Sequence, residues 1–262
     1  MLKWVDFKPE KPTLKHWIVG WFNYYIKFRL KLRLWSDSYS LIMKLKVDEM
    51  TAEDEEDKVG KRIWRMVLKN NTDAYHASKL TDETAGKFFD AFFPWKRKQL
   101  ENYYKNGSEC YQWKIYDQIV CCTWTSHGRI DPEVQKEMGI ELPIGKKDYW
   151  GLDIIVHPDY RGKAFEFLLF NVTHRHLKKQ GVDNLWAAVY LGDRGSVKMH
   201  HRVGFRPMHL LHQRFRFGFK QSNLYSFEKD GAAETHKAAE KLGVDLEFLF
   251  NNQQSQEITK EK

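Results

Sequence analysis

Hydrophobic positions change spacing several times between Gly151 and Phe205, and each change marks an element. Leu152-Asp153-Ile154-Ile155-Val156 is rich in β-branched residues and lies between Gly151 and His157-Pro158-Asp159, so it predicts a strand that stops at the proline. From Ala164 to Lys179 the apolar residues fall at Phe167, Leu168, Phe170, Val172 and Leu177, which predicts a helix. Leu185 to Tyr190 predicts a second strand, and a further helix leads into Val203-Gly204-Phe205. Before this region, Tyr39 to Val47 predicts a first strand, and Glu53 to Leu68 and Thr81 to Tyr104 predict helices with acidic starts that suit the helix dipole. Ser108 to Ile115 and Gln118 to Ser126 predict an antiparallel hairpin turning at Tyr116-Asp117. Gly128 to Lys147 contains Pro132 and Pro143 and predicts an inserted loop with one helical turn at Pro132 to Met138. Phe205 to Phe217 and Ser222 to Phe227 predict closing strands, Ala232 to Leu242 an added helix, and Asn251 to Lys262 a disordered polar tail.

The chemistry enters with Tyr160-Arg161-Gly162-Lys163, a basic turn from which the helix at Ala164 opens directly. Unpaired backbone N–H groups at a helix start bind anions, and two flanking cations strengthen the site, so the unit reads as a phosphate cradle. His157-Pro158-Asp159-Tyr160-Arg161-Gly162-Lys163 resembles the acetyl-CoA-binding segment of the GNAT acyltransferases, Arg/Gln-x-x-Gly-x-Gly/Ala. Asp193-Arg194-Gly195-Ser196-Val197-Lys198-Met199-His200-His201-Arg202-Val203-Gly204-Phe205 resembles that family's second signature, Asn-x-x-Ala/Ser-x-x-Leu-Tyr-x-x-x-Gly-Phe. Two signatures in the right order, separated by one helix and one strand, are far more specific than either alone. Residues 152 to 206 carry the resemblance sharply, within outer bounds of 41 to 228.

The resemblance implies an α/β (mixed α+β) fold: a central, mostly antiparallel sheet with two splayed parallel strands, flanked by helices. It implies acetyl-CoA as acyl donor, no metal, and an amine-bearing acceptor that attacks the thioester directly in a ternary complex. The pantetheine arm would enter between the strand Leu152 to Val156 and the strand Leu185 to Tyr190, bonding to main chain as an added strand does. Ile155 and Val156 would then lie against it, with Arg161, Gly162, Lys163, Ala164, Phe165 and Glu166 around the pyrophosphate. Lys163, Lys198 and Arg202 are candidates for the 3′-phosphate, and Ser196 lines the same side. Four positions depart from the pattern. Ala164 stands where glycine is usual, and its methyl still leaves the N–H available. Glu166 either caps the helix from solvent or competes with the pyrophosphate for the same N–H groups. Asp193 replaces Asn, keeping the acceptor and losing the donor amide. His200 replaces the tyrosine acid, and an imidazole of ordinary pKa near 6.5 supplies a proton donor at neutral pH. Asp153 is the best-placed carboxylate for a base. The competing expectation is a catalytically degenerate GNAT-fold module for binding or membrane association, which Glu166, Asp193 and His200 favour.

Composition alters this picture at one end only. A chain of 262 residues with 42% hydrophobic content can bury a core. Cys110, Cys121 and Cys122 offer neither a disulfide framework nor metal-ligand spacing and read as reduced core residues of a cytoplasmic protein. No signal peptide or uninterrupted apolar run of about 18 residues is visible, so the chain is not expected to span a membrane. Residues 1 to 47 hold ten Lys or Arg against three acids, while Asp48, Glu49 and Glu53 to Asp57 supply seven acids within ten residues. Trp17, Trp21, Phe22, Tyr24, Tyr25, Phe28 and Trp35 are interleaved with those cations. This block either docks on the inner face of a membrane as a peripheral contact or packs its aromatic side onto the core. No nucleic-acid-binding module accompanies the charge, so no nucleic acid partner is expected. The expected organisation is a basic aromatic extension over 1–38, an acyltransferase domain over 39–228, a helical addition over 229–250 and a tail over 251–262.

Overall fold

Leu41, Ile42, Met43 and Leu45 form a run buried to 1% exposure or less, the signature of a strand covered on both faces. That strand, β1 (Trp35–Lys46), occupies the middle of an eight-stranded sheet in a computed structural model of the protein. The structure describes residues 35–49, 75–91, 94–115, 118–157, 160–161, 173–174, 176–217 and 219–249. The basic extension through residue 34, the helix expected over Glu53–Leu68, the turn at Tyr116-Asp117, the cofactor loop Gly162, Lys163, Ala164, Phe165 and Glu166, and the tail from Asn251 lie outside them.

In chain order the remaining elements are β2 (Tyr75–Lys79), α1 (Asp82–Ala91), α2 (Pro94–Lys105), β3 (Glu109–Ile115), β4 (Gln118–His127), α3 (Pro132–Met138), β5 (Tyr149–Val156), β6 (Asn184–Tyr190), α4 (Arg194–Arg202), β7 (Arg206–Arg216), β8 (Phe219–Ser226) and α5 (Gly231–Leu242). Residues 173–174 and 176–179 are helical too. The spatial order is β2-β3-β4-β5-β6-β1-β7-β8. Only β5 and β6 run parallel; every other neighbouring pair is antiparallel. The mixed sheet flanked by helices is the expected fold class.

Three expectations change. The single helix over Thr81–Tyr104 is two helices, because Pro94 has no N–H to continue the first and suits the start of the second. The strand β2 was not foreseen, since Tyr75-His76-Ala77-Ser78-Lys79 carries no clear apolar alternation. The first strand begins at Trp35 rather than Tyr39. Local signals otherwise act as their chemistry dictates: Asp131 accepts from Glu133 N at 2.9 Å to cap α3, Pro132 opens it, and Gly139 at φ 66° ends it.

Side-chain alternation divides the core between two faces. On one, Leu41, Met43 and Leu45 of β1 join Tyr111, Tyr149, Leu185 and Val189 beneath Leu177, Val197 of α4 and Ala238 of α5. On the other, α1 and α2 cover Cys110, Cys122 and Trp124, while the 128–147 insertion places Ile130 and Met138 against Ile42, Trp150 and Trp186. Among the described residues no helix is long and apolar enough to cross a membrane.

Candidate functional site in the β5–β6 splay

Parallel pairing between β5 and β6 is brief: Tyr149 with Leu185, Trp150 with Trp186, and Gly151 with Ala187. Gly151 marks the last close approach, where an added Cβ would lie 3.3 Å from the Trp186 carbonyl oxygen. Beyond it β6 stays with β1 and β5 stays with β4, so the strands part. The pairing of β4 with β5 jumps from Trp124–Asp153 to Thr125–Gly151, leaving Leu152 as a bulge. A bulge re-aims its neighbours. Here Leu152 packs toward α1 and α2, and so does the next residue, Asp153, whose carboxylate is ion-paired with Lys96 of α2.

The parting strands enclose a cleft of about 240 Å³ lined on the β5 side by Gly151, Leu152, Asp153 and Ile154, and on the β6 side by Leu185 through Tyr190. Thr123 and Thr125 of β4, Thr173, Asp193, Ser196 and His200 at α4, and Phe205 just after it complete the wall. Its electrostatics are asymmetric. Burial raises the Asp153 carboxyl above the ordinary carboxylate range, and Lys96 pulls part of that back. Burial lowers the His200 imidazole to about 4, against smaller raising effects from the Ser196 carbonyl and Asp193. Because a carbonyl only accepts, the 2.8 Å contact to Ser196 O makes His200 Nδ1 the protonated nitrogen. His200 is therefore neutral at physiological pH, which corrects the expectation of an imidazolium with an ordinary pKa.

The sequence-derived residues fall into three groups. Asp153, Asp193, Ser196 and His200 all line the cleft, Asp153 from the α2 side. Asp193 also caps α4, accepting from Ser196 N at 3.0 Å, and so has work that does not need the lost amide. Ile155 is turned away into the α1–α2 core, and Val156 packs on the opposite face; the side chain at the cleft wall is Ile154. Arg161 is exposed where the chain leaves β5, its Nε donating to Val156 O at 3.3 Å. Lys198 and Arg202 are exposed on α4. Sequence reading missed Lys96, Thr123, Thr125, Thr173 and Tyr190. Lys96 sits 57 positions from Asp153, and no local pattern links them. Thr123 and Thr125 were legible as one polar face of β4.

An extended, hydrogen-bonding arm fits this cleft. Among the described residues no strand pairs with β5 on the β6 side beyond Gly151; there Arg161 donates to Val156 O and the Ile154 backbone bonds the Asp153 carboxylate, contacts that an incoming arm would compete with. The lining residue Thr125 also holds a buried hydroxyl without a hydrogen-bond partner. Among the described residues no group of three or more His, Cys, Asp or Glu side chains is arranged to hold a metal ion.

No curated protein sequence matches the chain. Among solved structures, the glucosamine N-acetyltransferase region of a fungal multidomain GH3 β-N-acetylglucosaminidase superposes with a TM-score of 0.51 at 12% identity, covering 69% of this chain and 21% of that one. A Drosophila protein gives 0.44 at 12% identity, covering 77% and 59%. The Escherichia coli ribosomal-protein-S18-alanine N-acetyltransferase gives 0.40 at 16% identity, covering 58% and 99%. The chain thus spans about a fifth of the fungal enzyme and three fifths of the Drosophila protein. The acetyltransferase (GNAT) family model matches residues 64–205, more than half of the chain, and with the splayed β5–β6 cleft this places the protein in the GNAT acetyltransferase family.

Proposed function

We propose that the protein moves an acetyl group from acetyl-CoA to an amine acceptor by direct attack at the β5–β6 splay. The observation that carries this reading is the cleft itself, where a stretch of β5 with no strand paired on its β6 side runs beside a part-buried carboxylate of raised pKa. The bound donor supplies an activated thioester carbonyl. Residues 152–156 of β5 and Ile154 would hold its arm, and Thr125 would supply a hydroxyl. Asp153 takes the proton from the attacking amine, because burial makes it a stronger base than an ordinary carboxylate. Lys96 holds that carboxylate in place and opposes its protonation. His200 is a weak source for the proton that the leaving sulfur needs, since a pKa of about 4 leaves roughly one molecule in a thousand charged at pH 7. Tyr190, half exposed on the same wall, is the better-placed donor, and its ring sits against Gly192, where a Cβ would come within 2.6 Å of it.

Calorimetric titration of the full chain with acetyl-CoA separates an enzyme from a degenerate binding module. Saturable micromolar binding supports the proposal, and no binding at millimolar concentration overturns it. In the active protein, assayed against a panel of primary amines, Asp153→Asn and Tyr190→Phe each cost on the order of a hundredfold in kcat while acetyl-CoA affinity is kept. His200→Phe costs less than tenfold. A reversed ranking returns the acid role to His200.

A further inference from the structure

Helix α2 turns one of its cations toward the sheet. Lys96 shares a helical face with Leu100 and Tyr103, which are buried to 0% and 2% exposure. That face packs with Trp124 of β4 and Ile155 of β5. The next two cations of the helix, Arg97 and Lys98, are exposed. Lys96 is thereby carried to Asp153, the residue opposite Trp124 on β5, and its Nζ donates to Asp153 Oδ2. The two side chains are 31% and 18% exposed, so the pair is enclosed on most sides and still reachable from solvent.

Asp153 therefore belongs to two places at once. The residue lines the β5–β6 cleft, and its carboxylate reaches the α2 side to hold Nζ. Burial opposes the carboxylate's charge, and Lys96 is the cation that offsets this. What the carboxylate holds is a primary ammonium at the end of a flexible, unbranched stem. An acceptor amine arrives at neutral pH in the same chemical form and has to lose a proton before it can attack. The ammonium of Lys96 thus stands where the ammonium of an acceptor must stand.

From this juxtaposition we infer that Lys96 is itself an acceptor: the protein acetylates its own Lys96 Nζ from acetyl-CoA, and the site takes the ends of unbranched primary alkylamines. The inference rests on the acetyltransferase reading. Asp153 takes one proton from the Lys96 ammonium, and the nitrogen lone pair that this frees attacks the thioester carbonyl. An N–C bond forms and the C–S bond breaks, the sulfur leaving with the electron pair. The nitrogen's second proton goes to that sulfur, and Asp153 later returns the first to solvent. The products are Nζ-acetyl-Lys96, free CoA thiol and one proton. Tethering favours the step, because an amine carried on the neighbouring helix need not be captured from solution.

The test is incubation of the full chain with acetyl-CoA labelled in its acetyl group, followed by peptide mass spectrometry over time. Exposed Lys98, on the same helix, reports uncatalysed chemical acetylation. Lys96 should be labelled at least about tenfold faster than Lys98, at a rate independent of protein concentration. Asp153→Asn, checked for native circular dichroism, should slow the labelling of Lys96 on the order of a hundredfold and leave that of Lys98 unchanged. As a second measurement, Lys96→Ala vacates the place beside Asp153, and this variant should acetylate added butylamine faster than the wild type does. Lys96 labelled no faster than Lys98, in a chain that calorimetry shows to bind acetyl-CoA, overturns the inference. Acetylation of other amines by that same chain would leave the acetyltransferase reading standing. Labelling of Lys96 that persists in Asp153→Asn, or that rises in rate with protein concentration, also overturns it, as chemical modification or transfer between copies. A chain that does not bind acetyl-CoA removes the acetyltransferase reading and this inference with it.

Discussion

His200 shows how a residue's chemistry depends on its seat. In sequence it stands where the family places a tyrosine, and its unperturbed pKa suits a proton donor. In the fold it is 5% exposed, packed edge-on to Phe205, with Nδ1 committed to the Ser196 carbonyl. The folded chain keeps the imidazole neutral down to about pH 4, whereas the unfolded chain takes up a proton near pH 6.5. The stability this contributes is fully present above about pH 6.5. It drains away as pH falls toward about 4, by about 3 kcal/mol once complete. Urea unfolding across that interval should show a slope that His200→Gln largely abolishes. An unchanged slope in the variant would mean that other groups carry it. Asp153 and Lys96 teach the same lesson from the other side, since a carboxylate on a strand was legible but its counter-charge, from a distant helix, was not.

Asp37 does for the elements what a single contact cannot. It sits on β1 and accepts from Lys241 Nζ of α5 at 2.6 Å, and from Arg216 Nη2 and His212 Nε2 of β7 at 3.1 and 3.2 Å. Tyr39 stacks on His212 at 4.4 Å and receives a 3.3 Å hydrogen bond from Lys241, closing the cluster. Burial alone would raise the Asp37 carboxyl, but its three donors outweigh that and hold it at about 2. Its contribution to stability is therefore present above about pH 4 and lost as pH falls toward about 2, a window separate from that of His200. Asp37→Asn should cost about 1–2 kcal/mol at neutral pH, after allowance for the exposure of Lys241, which at this chain length is a fall in Tm of about 2–8 °C. An unchanged Tm would show that the cations are equally content in water. Elements with local punctuation were read well, including α3 between Asp131 and Gly139. Where punctuation was passed over, as at Pro94, one helix was expected where two exist. The polar edge strand β2 has no local signature to find.

Sheet order is a property of the whole molecule, and sequence alone does not disclose it. Tyr39 to Val47 was readable as a strand, but its strand is the first described yet lies between β6 and β7, pairing Ser40–Lys46 with Asn184–Tyr190 and Trp35–Lys44 with Arg206–Arg216. Nothing in its residues names partners about 150 positions away. Its placement makes the two halves of the sheet interdependent: in the described sheet the ladder from β7 and β8 to the cleft-bearing strands runs through β1. Removing residues 1–46 would delete both ladders and the side chains of Leu41, Ile42, Met43 and Leu45, each buried to 1% or less. At about 2–5 kcal/mol for each large buried aliphatic lost, that exceeds most or all of the 5–15 kcal/mol that separates a folded domain from its unfolded state. The chain 47–262 should lack cooperative thermal unfolding by circular dichroism. The chain 35–262, which retains every described strand pairing, should keep it. Adding a synthetic peptide of residues 35–46 to the shorter chain should restore cooperativity as the missing strand re-enters between β6 and β7. A chain 47–262 that unfolds cooperatively with undiminished β signal would show that β6 and β7 can pair directly, and that β1 is an insertion the sheet can do without.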